Sequence, residues 1–119
     1  MNEPYLYALV STYVPKHVYS LTQLAGGLFI KETLRNGWTC ANGVLHSFND
    51  QPLVDYFGVR KWYRYGQVHR DNDQPAKIYA DGSQEWYRNG KKHRANNRPA
   101  FIQACGIKEW WRNGRCYKY

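Results

Sequence analysis

Three histidines, His46, His69 and His93, recur at intervals of 23 and 24 residues, and imidazole is the side chain best suited to ligate a metal or move a proton near neutral pH. A shared metal site would need them to converge. One histidine per repeated unit instead predicts separations of about 10–14 Å, two or three strand spacings of about 4.8 Å each. Packing of each ring against a neighbouring tryptophan then explains the pattern better than a common ion. Asp50, Asp71 and Asp73 are near enough in sequence to suggest acid–base work. Each, however, falls in a turn beside Pro52 or Pro75, where aspartate commonly bonds its own backbone. Cys40, Cys105 and Cys116 are odd in number and show no CxxC spacing, which argues against a disulfide framework or a zinc site and suits a reducing compartment. No histidine stands in a recognisable motif as a base for Cys116, and no phosphate loop or nucleophile elbow is present. The expected catalytic, cofactor-binding and metal residues are therefore none, and an enzyme is not expected.

Aromatic and basic residues carry the stronger signal. Residues 61–70 read KWYRYGQVHR, 85–94 EWYRNGKKHR and 109–118 EWWRNGRCYK, with Trp62, Trp86 and Trp110, like Gly66, Gly90 and Gly114, spaced by 24 residues. The chain of 119 residues has a formal charge of +8, eleven Tyr and five Trp. From Arg60 onward 14 Lys and Arg face 5 acids, a balance of +9, whereas residues 1–59 carry 3 against 4, a balance of −1. The repeats thus hold all of the basic excess, which suits an acidic protein, nucleic acid or anionic lipid. Trp62, Trp86, Trp110 and Trp111 beside Arg64, Arg88 and Arg112 could stack single-stranded bases. Strand geometry argues for a different division, because residues two apart share a face: one face needs the rings for its core, and the other is left as an aromatic and basic docking surface.

Such a surface must be held by strands. Asn89-Gly90 and Asn113-Gly114 predict type I′ hairpin turns, flanked by strands over 84–88 and 91–94 and over 108–112 and 115–119. Tyr65-Gly66 places an earlier turn between strands 61–64 and 67–70. Asp81-Gly82 predicts a second turn, joining a strand over 76–80 to the next Trp strand. Asp71-Asn72-Asp73-Gln74-Pro75 and Ala95-Asn96-Asn97-Arg98-Pro99 predict a bend, since proline cannot donate to a ladder. A worn further copy begins near Trp38 and contains Asn42-Gly43, His46 and Asn49-Asp50-Gln51-Pro52; one insertion near Cys40 and one deletion after Pro52 restore its register. Consecutive units should pair edge to edge into one elongated, twisted sheet with the tryptophans in a row.

Upstream, Leu6, Leu9, Val10 and Tyr13 follow helical spacing. A second helix is expected from Pro15 and Lys16, with Val18, Leu21, Leu24 and Ala25 on one face, and a third over 28–35 with Ile30 and Leu34 inward, closed by Asn36-Gly37. The expected fold class is α+β: a two- or three-helix N-terminal cap over 1–37, then a single-layer antiparallel β-meander over 38–119 whose units start near Trp38, Trp62, Trp86 and Trp110. The helices would cover an apolar face and open edge that otherwise invite aggregation.

Asp81-Gly82-Ser83 and Trp86-Tyr87-Arg88-Asn89-Gly90-Lys91-Lys92-His93 resemble the MORN repeat, whose unit of about 23 residues carries an aromatic strand, an Asn-Gly turn, a Lys-x-His strand and an Asp-Gly turn. WYRNGKKHR followed by Pro99-Ala100 looks most like the divergent copies encoded by giant DNA viruses. The copies here depart from the standard motif by placing Arg70 and Arg94 where a glycine follows the histidine. Pro4, Leu9, Val10, Tyr13-Val14-Pro15, Val18, Leu21, Leu24, Phe29 and Leu34 are similar in order to an F-box pattern.

The expected function is a non-enzymatic protein–protein interaction module. The resemblance implies a small viral structural or assembly component of a virion. Its alternatives are an F-box-like adaptor for a host ubiquitin ligase and a basic binder of nucleic acid or anionic membrane. Expected partners are a capsid component, a second copy or a ligase subunit, met through Tyr63, Arg70, Tyr87, Lys91, Lys92, Arg94, Trp111, Arg115, Tyr117 and Tyr119. No cofactor is expected. Met1 is followed by no Lys or Arg before Lys16, unlike a secretory signal, and no apolar run approaches about 18 residues. The expectation is an intracellular or virion protein, not a secreted one, with no transmembrane segment.

Overall fold

The computed structural model describes residues 18–24, 27–34 and 38–119, and these are all-β. No helix occurs among the described residues, so the part of the expected helical cap that falls on them is corrected to strand. Residues expected in the second helix form β1 (Val18–Leu24), and those of the third form β2 (Gly27–Thr33), antiparallel partners from Val18↔Thr33 to Leu24↔Gly27. Val, Thr, Tyr, Phe and Ile are dense here and favour strand. Gly27 opens β2 and pairs with Leu24, a strand-end place that glycine suits. The apolar spacing of Val18, Leu21 and Leu24 was compatible with a helix but did not require one. The first expected helix and the Asn36-Gly37 cap lie outside the described residues. The F-box-like pattern needs helices where β1 and β2 stand, so the ligase-adaptor reading loses its basis.

The edge-covering task assigned to helices falls instead to β2, which pairs with β3 (Thr39–Ala41) at Lys31↔Ala41, Glu32↔Cys40 and Thr33↔Thr39. A hairpin to β4 (Val44–Leu45) completes a four-stranded sheet in the order β1-β2-β3-β4. The chain continues through β5 (Leu53–Val54), β6 (Arg60–Lys61), β7 (Tyr63–Arg64), β8 (Gln67–Val68), β9 (Lys77–Ile78) and β10 (Gln84–Glu85). Then follow β11 (Tyr87–Arg88), β12 (Lys91–Lys92), β13 (Phe101–Ile102), β14 (Lys108–Arg112) and β15 (Arg115–Lys118).

Each expected Trp strand breaks at its tryptophan in the two central units. Arg60–Lys61 and Gln84–Glu85 belong to a seven-stranded sheet ordered β15-β14-β13-β10-β9-β6-β5, while Tyr63–Arg64 and Tyr87–Arg88 form separate hairpins with β8 and β12. The expected single ribbon is therefore a sheet with a row of hairpins turned off it, the corner lying at Trp62 and Trp86. Only β14 runs through, with an irregular register between Trp110 and Trp111.

The turns at Asn89-Gly90 and Asn113-Gly114 have the positive φ pairs expected of type I′, and those at Asn42-Gly43 and Tyr65-Gly66 share them. Asn42, Tyr65, Asn89 and Asn113 have φ of 49°, 47°, 50° and 48°, each followed by a glycine at 83° to 86°. Asn49-Asp50, Asn72-Asp73 and Asn96-Asn97 also take positive φ in pairs, so the bend before each proline is a second left-handed turn. Asparagine and aspartate tolerate this conformation because their short side chains bond locally.

Between tryptophan corners the chain needs almost no side chain. The Ala76 carbonyl accepts the Trp62 amide at 2.9 Å and the Ala76 amide donates to the Glu85 carbonyl at 2.8 Å; Ala100 repeats both bonds with Trp86 and Glu109 at 2.8 Å. Ala76 and Ala100 are 0 % exposed, and Trp62 and Trp86 only 4 % and 6 %. The core of each of the two central units is one indole with small residues on the adjoining rung, which is how a stretch poor in Leu and Ile builds an interior.

Candidate functional site: the junctions between units

The same bonds recur at every junction. His46 Nδ1 accepts the Tyr65 amide at 3.1 Å, His69 Nδ1 the Asn89 amide at 3.0 Å, and His93 Nδ1 the Asn113 amide at 3.1 Å. One position on, the Gly66, Gly90 and Gly114 amides donate to the carbonyls of Leu45, Val68 and Lys92 at 2.7, 2.9 and 2.9 Å. Each hairpin therefore holds the turn of the next through an imidazole and a carbonyl. The histidines are spent on backbone amides, and among the described residues no group of three or more His, Cys, Asp or Glu could hold a metal ion.

A second recurring assembly surrounds each indole. Trp62, Trp86 and Trp110 donate Nε1–H to the carbonyls of Asp50, Asp73 and Asn97 at 3.0, 3.0 and 3.1 Å. Arg70 stacks on Trp62 at 3.8 Å and Arg94 on Trp86 at 3.9 Å. Arg70 forks onto both carboxylate oxygens of Asp50 at 2.9 Å, and Arg94 onto Asp73 at 2.9 and 3.2 Å. A planar guanidinium can stack and fork together, which a lysine cannot. In the last unit the pattern weakens: Lys118 lies 4.7 Å over Trp110, and Asn97 stands where the carboxylate was. In the worn copy Thr39, not Trp38, takes the tryptophan place, since His46 N–H donates to Thr39 O as His69 N–H does to Trp62 O. Trp38 instead donates its indole N–H to the Val54 carbonyl at 2.8 Å.

These junctions open into two matched clefts. One, of about 270 Å³, is lined by His46, Asp50, Trp62, Tyr63, Arg64 and Arg70 among others. The next, of about 220 Å³, is lined by His69, Asp73, Trp86, Tyr87, Arg88 and Arg94. Arg64 and Arg88 are exposed and tied to the following turn through Asn89 Oδ1 at 2.7 Å and Asn113 Oδ1 at 3.4 Å.

A buried polar cluster stands apart from these. Glu85, 4 % exposed, accepts the Tyr79 hydroxyl, the Tyr87 hydroxyl at 3.2 Å and the Lys92 ammonium at 2.7 Å. Burial pushes the Glu85 carboxyl up, but Lys92 and Tyr79 together outweigh that and leave it below its ordinary range. Burial first, and then the Glu85 charge, push the Tyr87 phenol up to about 12 and raise Tyr79 as well.

The expected partner-facing residues divide accordingly. Arg70, Arg94, Lys92 and Tyr87 are engaged internally, as described. Tyr63 is half-buried and lines the first cleft. Trp111 is half-buried, its indole N–H bonded to Glu109 at 2.9 Å. Lys91, Arg115, Tyr117 and Tyr119 are exposed. Arg64, Arg88 and Arg112, considered above only beside tryptophans that might stack bases, were not among the expected partner-facing residues, although a two-residue turn places each directly across from the residue after its glycine. Tyr56 and Phe57, 96 % and 79 % exposed at the tip between β5 and β6, were also missed; the corresponding tips read Ala80-Asp81 and Ala104-Cys105.

The junctions should respond to acid. Burial, and then the charge of Arg64, holds the His46 imidazole below its ordinary range; burial, then Arg88 and Arg112, does the same for His93. A base with a lowered folded pKa contributes stability that is complete above about pH 6.5 and lost as pH falls from there through the folded value. Asp50 and Asp73 are held low first by the hydrogen bonds of Arg70 and Arg94, so their contribution is lost only below about pH 4. The melting temperature should fall in two stages between neutral pH and pH about 3, and a flat profile from pH 7 to 5 would remove the histidines from this account.

No protein-family profile matches the chain, and no curated protein and no solved structure is significantly similar to it.

Proposed function

We propose that this protein is a non-enzymatic interaction module, a stiff β-scaffold whose inter-unit clefts grip successive side chains of an extended segment of a partner protein. The observation behind the reading is the duplication of the cleft one unit apart, with His, Trp, Tyr and two Arg in the same places. A single cleft would suit a small molecule; repeated clefts suit a polymer with repeated side groups. The clefts also mix both charge signs, which fits a polypeptide. Aromatic and arginine side chains are the types that dominate protein interfaces. The MORN-like resemblance adds a setting, a small structural or assembly component of a virion. No helix among the described residues is long and apolar enough to cross a membrane.

Photo-crosslinking tests the reading. A benzophenone amino acid at Tyr63, which lines a cleft, and another at Val54, which does not, would be compared in extract of the native source. A discrete protein adduct from the Tyr63 position, absent from Val54 and abolished by Arg64→Ala, is expected. Equal labelling from both positions would discard the clefts as the binding surface.

A further inference from the structure

The residues flanking the last two Asn-Gly turns are charged in register. Arg88 lies directly across from Lys91, and Arg112 directly across from Arg115, all exposed. Like charges opposed across a hairpin weaken it. Of the other cations in the repeats, Lys61, Arg64, Arg70, Lys92, Arg94 and Arg98 each have a carboxylate within 4 Å, whereas Arg60, Lys77, Lys108 and Lys118, which do not flank these turns, have no such pair among the described residues. Among the described residues no ion pair reaches Arg88, Lys91, Arg112 or Arg115. The two hairpins are also locked side by side by the Gly114 amide on the Lys92 carbonyl and by Arg88 on Asn113. The stem of Lys91 covers Gly114, where a Cβ would sit 3.8 Å from Lys91 Cβ. Four unmatched cations thus make one contiguous patch on a rigid base.

We propose that this patch binds the phosphate backbone of a nucleic acid without reading its bases. Guanidinium and ammonium groups presented in pairs suit a ligand of evenly repeated charge. An acidic strand would have to add to the edge strand β15, where it would meet Arg115 and leave Arg88 and Lys91, one hairpin away, unused. An anionic membrane would need an apolar anchor beside the cations. The exposed pair Tyr56 and Phe57 belongs to the other row of turns, which in the second unit is separated from the Asn-Gly turn by residues 83–88. Arg88 also lines the second cleft, but Lys91, Arg112 and Arg115 line neither cleft, so the inference does not require the clefts to bind anything.

The test is fluorescence anisotropy with single-stranded and duplex DNA of about 20 nucleotides, at about 50 and 200 mM salt. Arg88→Gln/Lys91→Gln/Arg115→Gln would be compared with Arg60→Gln/Arg98→Gln/Lys108→Gln, which removes the same charge elsewhere. The patch variant should bind about 10-fold or more weakly, its log–log salt slope smaller by about 2–3, with the control within about twofold of the parent. The proposal is overturned if both variants lose affinity equally, if polyglutamate displaces the DNA at equal charge concentration, if phosphatidylserine vesicles bind as tightly, or if the parent fails to bind at the lower salt. Lys91→Glu supplies a separate readout. It replaces a like-charge pair with an opposite one, so binding should drop while the melting temperature rises; a fall in melting temperature would show that the cations serve the fold.

Discussion

Glu85→Ala is expected to destabilise the protein by about 3–5 kcal/mol, read from urea unfolding at pH 7, because it leaves a half-buried ammonium and two phenol hydroxyls without their shared acceptor. Lys92 Nζ lies 2.7 Å from Glu85 with side-chain exposures of 18 % and 6 %, so water does little to screen the pair. The same substitution strands the Tyr79 and Tyr87 hydroxyls, which donate to the two Glu85 oxygens. Lys77 pairs directly across from Glu85 and from Lys61, so with the carboxylate gone it faces Lys61, whose own charge is met by Asp55 at 3.3 Å, with no acid directly across from it. Glu85→Gln keeps one acceptor oxygen and presents an amide N–H that the other hydroxyl can accept, so it should cost less, about 1–3 kcal/mol. Removing both partners in Glu85→Ala/Lys92→Ala should cost less than the sum of the single variants by about 0.5–3 kcal/mol, since the second change removes the orphaned charge. Strict additivity, or a loss below about 1 kcal/mol for Glu85→Ala, would mean that the pair is solvated.

The repeat was legible because its signals are local. Asn-Gly at 89–90 and 113–114 specifies the sign of two consecutive φ angles without reference to the rest of the fold, and the structure has them. The 24-residue period likewise announced that His69 and His93 would have equivalent surroundings. The Trp62 strand gave no sign that it would break, because alternation along 60–64 is the same whether Arg60–Lys61 and Tyr63–Arg64 share a sheet or turn a corner. What decides is the partner: the Trp62 amide goes to Ala76, sixteen residues are needed to bring Ser47 to Tyr63, and such pairings lie outside any short window. The N-terminal error has a related cause. Val18, Leu21 and Leu24 satisfy a helical period and Val18, Ser20 and Thr22 a strand period, and what separates them is that β3 offers an edge for β2 to pair with. Glu85 was hidden for another reason. Its equivalents are Lys61 and Glu109, so periodicity gave no warning that one copy of this position would be a buried charge.

Trp86→Ala should cost about 3–5 kcal/mol, the range for deleting a buried large side chain. The indole is 6 % exposed, its N–H is the donor to the Asp73 carbonyl at 3.0 Å, and its ring is the platform on which Arg94 rests at 3.9 Å. Losing the platform frees Arg94, whose fork onto Asp73 then no longer has a fixed base, so the turn of the preceding unit is loosened along with the corner of its own. In a chain of units that touch only their neighbours, such damage should spread by one step and fade. The Trp86 carbonyl accepts the His93 amide at 3.0 Å, and His93 Nδ1 in turn holds the Asn113 amide. Hydrogen exchange at Asn113 should therefore accelerate in Trp86→Ala although the two residues belong to different units, while the Tyr65 amide, held by His46 upstream, should change much less. Trp110→Ala supplies the comparison. Its ring is only half-buried and carries the weaker Lys118 contact at 4.7 Å, so its loss should cost less than half as much. If the two variants proved equal, the indole would be contributing surface area alone, and the recurring union of ring, guanidinium and turn carboxylate would have no share in joining one unit to the next.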